Sequence, residues 1–174
     1  MEFKNMLIAL LLVLAVSNVK AQAPGNFKLN SATDKSQFSL SSAKGKFVVL
    51  HFLLKTECPY CLRHTQEYFS KAGSLAKVVQ IFIKPDEEKE IQAWATKIPA
   101  DDLAKFPIYR DPDAKLAAQF NIPGGYRFHN EIVHYPATII IDPNGKEVFR
   151  YVGRNNTDRF SFDQLVAKLH ELEK

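Results

Sequence analysis

Cysteine is almost absent: the 174 residues contain two, Cys58 and Cys61, in the stretch "TECPYC". With no second pair, a four-thiolate zinc site is excluded. A bridge closing so short a loop removes little unfolded-chain entropy and would be a poor structural staple. Also missing is any basic run. Lys and Arg are scattered among Asp and Glu for a formal charge of +4, which gives nucleic-acid binding little support. No repeat or low-complexity tract stands out, and no apolar run reaches the roughly 20 residues needed to cross a bilayer.

The longest apolar run, Met6 to Val16, follows a short polar stretch containing Lys4 and ends in small and polar residues. This is the pattern of a cleavable secretory signal peptide over residues 1–21, cut after Val19-Lys20-Ala21 to leave Gln22 first. No cysteine follows the run, so a lipid anchor is not indicated. Residues 22–174 then form one domain, expected in the periplasm or outside the cell with no stable membrane span. In such an oxidising compartment two cysteines can form a static bridge. The short loop argues instead for a redox-active pair.

What is present has the composition of a globular protein, with 46% hydrophobic and 24% charged residues. "KFVVLHFLL" (46–54) reads as a buried central strand. The cysteines follow at once, with Pro59 where a first helical turn tolerates proline and "YCLRHTQEYFSKA" continuing the helix. Cys58 therefore falls at a strand-to-helix junction, where unpaired N–H groups and the helix dipole favour a thiolate, with Cys61 one turn later. "KVVQIFIK" (77–84) predicts a second buried strand. "PDEEKEIQAWATKI" predicts a helix with Asp86, Glu87 and Glu88 in its first turn and Ile91, Trp94, Ala95 and Ile98 on one face. "FPIYRD" reads as a short strand and "PDAKLAAQF" as a short helix. "YPATIIIDPNGKEVFRYVG" is a hairpin. A last helix opens with the capping-box pair Ser161 and Gln164 and lines up Phe162, Leu165, Leu169 and Leu172. One or two early strands between Phe27 and Ser42 complete an α/β arrangement.

With "CPYC" in this setting, "DPDAKLAAQFNIP" before the hairpin, "YPATIIIDPNGKEVFRYVG" and the terminal helix, the chain resembles the thioredoxin-fold redoxins, similar to the AhpC/TSA and TlpA-like families. The resemblance implies a thioredoxin-like fold, a mixed central sheet flanked by helices, with an N-terminal β extension. It implies a thiol:disulfide oxidoreductase in which Cys58 is the nucleophile and Cys61 resolves the mixed disulfide. It makes Pro59, Tyr60, Tyr135 and Pro136 the substrate-binding residues, with a cis Tyr135–Pro136 bond facing the cysteines and Tyr135 offering its backbone to a substrate strand. Protein thiols or disulfides and a redox partner protein are the implied partners, with no cofactor and no metal. The chain departs from thioredoxins at two positions: Phe52 stands six residues before Cys58, where they often carry a buried Asp, and Glu57 replaces their Trp. A carboxylate at Glu57 opposes a thiolate, and Lys55, Arg63 and His64 are the cations near enough in sequence to offset it.

The alternative activity is a thiol-dependent peroxidase, since "DPDAKLAAQFNI" resembles the bacterioferritin-comigratory peroxiredoxins. Their Pro-x-x-x-Thr/Ser-x-x-Cys loop is broken here by His51 and Lys55, Thr56 is displaced by one, and Pro136 occupies the place of their later Arg. A copper carrier would use Cys58, Cys61 and a histidine, but the carriers of this fold use a Cys-x-x-x-Cys spacing. His51, His64, His129 and His134 are expected to be structural or surface residues.

Overall fold

A computed structural model describes residues 25–55, 58–75, 77–128 and 130–174, without the side chain of Phe128. The expected leader, and the positions Thr56, Glu57 and His129, lie outside these described residues. Among them no helix is long and apolar enough to cross a membrane.

The apolar β-formers take the strands expected of them: β1 (Lys28–Asn30), β2 (Gln37–Ser39), β3 (Phe47–Phe52), β4 (Val78–Lys84) and β5 (Ile108–Arg110). Further on come β6 (Gly124–Phe128), β7 (Glu131–His134), β8 (Ala137–Ile141) and β9 (Glu147–Val152). The helices are α1 (Pro59–Ala72), α2 (Glu88–Ala95), α3 (Ala100–Lys105), α4 (Lys115–Gln119) and α5 (Phe162–Leu172). Five strands form one mixed sheet in the order β5-β4-β3-β8-β9; β3, β4 and β5 run parallel, and β8 and β9 pair antiparallel. β1 and β2 make a separate ribbon, tied to β5 by the Ser31–Tyr109 bridge. This is the expected thioredoxin-like sheet with its N-terminal β extension.

Period-2 alternation divides the core. Val49, Phe82 and Ile140 face a layer built with α1, α2 and α5; Leu50, Phe52, Ile83 and Ile139 face the other, under the ribbon and α4. Each such fully buried side chain contributes about 1.5–3 kcal/mol. The same alternation puts Lys84 on the face of Phe82, which is the face that receives the cysteines.

Two stretches differ from expectation and one forms as read. The helix foreseen over 85–98 is shorter, running from Glu88 to Ala95, and a separate α3 opens after Pro99. Its first turn is capped by Glu87 and Glu90, with the Glu87 N–H donating to Glu90 Oε2 at 3.0 Å; Asp86 is buried ahead of it. The β6–β7 hairpin was not foreseen, since its polar arms carry no alternating apolar signal. The terminal capping box forms as read: Gln164 N–H donates to Ser161 Oγ at 3.3 Å and Ser161 N–H to Gln164 Oε1 at 2.9 Å.

Tyr68 on α1 is fully buried, and its hydroxyl donates to the Phe160 carbonyl at 2.7 Å, fastening the loop before α5 to the cysteine helix. Replacing Tyr68 with Phe leaves that carbonyl buried without its donor. Tyr68→Phe is expected to lower stability by about 1–3 kcal/mol in urea unfolding, with an unchanged m-value.

Candidate active site

β3 ends at Phe52 and α1 begins at Pro59, with the Cys58 N–H donating to the Lys55 carbonyl at 3.0 Å. Cys58 is the N-cap of α1 in extended conformation (φ −75°, ψ 106°) and Pro59 follows inside the first turn. Cys61 N–H donates back to the Cys58 carbonyl at 3.2 Å. One turn of helix thus stacks the thiols, with Cys58 partly exposed and Cys61 fully buried; both are free. Pro59 and Tyr60 stand exposed beside Cys58.

Three donors or cations converge on the buried sulfur. Leu54 N–H donates to Cys61 Sγ at 3.2 Å. Arg159 reaches in from the loop before α5, its Nη2 3.4 Å from Cys61 Sγ and 3.5 Å from Cys58 Sγ. Lys84, wholly buried, donates from Nζ to the Leu54 carbonyl at 2.6 Å, lies 3.7 Å from the Asp86 carboxylate and sits 4.5 Å above the Trp94 ring centroid. Burying an ammonium costs several kcal/mol unless it is paired and hydrogen-bonded, and here it has all three partners.

These neighbours set the acidity of the pair. Burial pushes the Cys61 thiol up, but the hydrogen bond from Cys58, then Lys84, Arg159 and the Leu54 N–H, bring it down to about 6. The Cys58 thiol is pushed up, first by the hydrogen bond it makes to Cys61, then by burial and the charge on Cys61. Two thiols this strongly linked titrate as a unit: one proton leaves readily and the second is held. Cys58 is the accessible sulfur, while the shared negative charge rests toward Cys61, where the donors meet.

The cations expected from sequence proximity are occupied elsewhere. Lys55 pairs with Glu131 at 3.1 Å, and the Arg63 guanidinium lies 5.3 Å over the Tyr60 ring centroid. His64 is buried and held neutral, with burial pushing its pKa well below the ordinary value and His51 and Arg159 adding to that. His51 stacks on Phe82 at 4.5 Å between centroids and burial pushes it down to about 3. Both are core aromatics. His134 is buried as well, its Nδ1 2.7 Å from the Tyr135 carbonyl oxygen.

The substrate strand expected at Tyr135 and Pro136 has no room to pair. No described peptide bond is cis, so Tyr135–Pro136 is trans. The β6–β7 hairpin occupies the backbone there: Tyr135 N–H donates to the Pro123 carbonyl at 3.1 Å, and the Tyr135 carbonyl is engaged by His134. The Tyr135 ring packs over Gly125, where any β-carbon would collide with it. Pro136 accepts from Gly153 N–H at 2.8 Å and shares a small internal cavity with Arg159. Pro136 thus lines the Arg159 side of the site, while Tyr135 packs on the β6–β7 hairpin.

Arg159 is the residue the sequence reading missed. Its placement begins at Gly153, whose missing side chain leaves room for the Asp158 carbonyl oxygen, 2.5 Å from where a β-carbon would sit. Asn155 Oδ1 accepts from the N–H groups of Thr157 and Asp158 at 2.9 and 3.0 Å. The Asp158 carboxylate, held down to about 2 by the Tyr151 hydroxyl and then by Arg154, accepts from Arg154 N–H and Nε at 3.0 Å. This knot fixes the backbone from which Arg159 projects.

Known proteins share this architecture. AhpC of Enterococcus faecalis superposes with a TM-score of 0.70 at 20% identity, over 90% of this chain and 93% of that one. The bacterioferritin comigratory protein of Xanthomonas campestris gives 0.69 at 17%, over 85% and 92%. The exposed lipoprotein thioredoxin of Streptococcus pneumoniae gives 0.66 at 22%, over 84% and 98%. In sequence, the chloroplastic peroxiredoxin Q of Populus jackii is 34% identical over 110 residues, 60% of this chain and 47% of that protein, so the chain spans about half the length of this relative. Residues 19–148 match the AhpC/TSA family. That match covers most of the chain, and the protein belongs to the AhpC/TSA family of thioredoxin-fold redoxins.

Proposed function

We propose that this protein is an exported thiol:disulfide oxidoreductase that cycles the Cys58–Cys61 pair between dithiol and disulfide. One observation carries the reading: a partly exposed Cys58 stacked over a fully buried Cys61, with Arg159 bridging both sulfurs. In the reductive direction the shared proton passes to Cys61, and the Cys58 thiolate attacks a substrate disulfide. One substrate sulfur leaves as a thiolate and a Cys58 mixed disulfide forms. Cys61, deprotonated in turn, attacks Cys58 Sγ and expels the second substrate thiolate, leaving the Cys58–Cys61 disulfide. The two electrons given to the substrate are restored by a dithiol partner protein. Pro59 and Tyr60 are the substrate-facing residues, while Pro136 lines the cavity beside Arg159. Export rests on the leader pattern of residues 1–21.

Arg159 also favours a second reading, a thiol-dependent peroxidase, because a guanidinium beside a thiolate can polarise a peroxide as well as a disulfide. The peroxiredoxin Q relative points the same way. Against it stand His51 and Lys55 in the positions where that chemistry uses Pro and Thr.

The order of attack has a direct test. Cys61→Ser is expected to accumulate mixed disulfides with substrate proteins, and Cys58→Ser is not; limiting alkylating reagent should label Cys58 first. Trapping by Cys58→Ser alone would reverse the roles.

Arg159→Met is expected to raise the first ionisation of the pair from about 6, and a rise of about one pH unit would slow insulin reduction with dithiothreitol by roughly twofold at pH 7, where the ionised fraction falls from about nine-tenths to about one half. The wild-type protein should reduce insulin well and consume hydrogen peroxide slowly. Peroxide turnover that exceeds insulin reduction and collapses in Arg159→Met would select the peroxidase reading.

A further inference from the structure

Lys84 lies at the end of β4 and outside the "CPYC" motif, and strand alternation directs its side chain under the dithiol. Its position is unusual on two counts. A wholly buried lysine is rare unless paired, and this one is paired by a carboxylate only two residues along the same chain, at 3.7 Å. Its strongest hydrogen bond goes to the carbonyl of Leu54, at 2.6 Å. The N–H of that same residue donates to Cys61 Sγ at 3.2 Å. Leu54 therefore presents one polar group to the cation and the other to the sulfur.

We infer that Lys84 is a positioning residue for Cys61: it holds Leu54 with its N–H on the sulfur and places a positive charge behind the thiolate that forms when the disulfide opens. The inference deepens the dithiol reading and rests on it. When a substrate thiolate attacks Cys58 of the oxidised protein, the Cys58–Cys61 bond breaks and Cys61 leaves with the electron pair. The charge that develops there meets an N–H already aimed at it, an ammonium behind it and Arg159 beside it. Stabilising that thiolate favours the reduced protein. Asp86 and Trp94 hold the ammonium in place and limit its cost. The ionisable groups whose fields meet at this point are Asp86, Cys58 and Cys61, with Lys55, Tyr126 and His134 around them. Burial pushes the Lys84 pKa down, and the charges on Cys61, Asp86 and Cys58 oppose that shift, as expected of a cation retained by its anions.

Two double variants separate charge from support. Lys84→Met with Asp86→Asn removes the ion pair and the donor to Leu54; Lys84→Gln with Asp86→Asn removes the charge and keeps a donor. Each is equilibrated with a glutathione redox buffer, and the pH dependence of its alkylation rate is recorded. The Met variant is expected to shift the redox equilibrium about tenfold toward the disulfide and to move the alkylation midpoint up by about one pH unit. The Gln variant should fall between it and wild type. Folded variants with the wild-type equilibrium constant and midpoint would overturn the inference and leave the dithiol reading intact. A wild-type protein that does not exchange with glutathione and reduces no disulfide would overturn both. Should neither variant fold, the Lys84 ammonium resonance of the wild-type protein decides: it must shift between reduced and oxidised forms, and a signal indifferent to oxidation overturns the inference.

Discussion

Two thiols stacked by one helical turn at the buried end of a sheet cannot both ionise, because the second charge would be placed beside the first in a poorly solvated site. A single negative charge shared between Cys58 and Cys61 is the quantity around which the surrounding residues are arranged. Arg159 donates to both sulfurs, so it follows the charge wherever it rests. Leu54 N–H donates to Cys61 alone, with Lys84 on the far side of the same residue, so the inner sulfur is favoured. Accessibility works the other way, since only Cys58 can meet a substrate. Reactivity and charge are thus placed on different atoms and joined by one proton.

The scaffold delivers these groups from distant parts of the chain. The parallel pair β3–β4 brings Leu54 and Lys84 to the same end of the sheet, and α1 hangs Cys61 over them. Arg159 arrives almost a hundred residues later. Its backbone is held by the Asn155 and Asp158 turn on one side and, through Phe160, by Tyr68 of α1 on the other. The site depends on packing of the whole layer, with Tyr68, Phe82 and His51 forming an aromatic floor beneath α1.

Much of the fold was legible in the sequence, for physical reasons that can be named. Dense runs such as "KFVVLHFLL" and "TIIID" are strands because both faces are buried, and Ser161 with Gln164 marks a helix start by its local hydrogen bonds. The motif itself was readable because Pro59 and two cysteines at helical spacing constrain their own backbone. The cations were not. Lys84 is the polar end of a strand and Arg159 lies in a loop, and only the tertiary fold brings them to the sulfurs. Tyr135 was misjudged for a related reason: the polar β6–β7 hairpin, which takes up its backbone groups, has no apolar pattern to announce it. Trp94 was read correctly as core, yet its ring also faces the Lys84 ammonium, a role that helical periodicity does not reveal.

Ultraviolet thiolate absorbance of the reduced protein, followed as pH is raised, tests whether one stabilised thiolate is shared by the two sulfurs. A first step near pH 6 is expected, with an amplitude of one thiolate per chain, and no second step until well above the ordinary cysteine range. Both thiols ionising together near their unperturbed value, about 8.5, would contradict it.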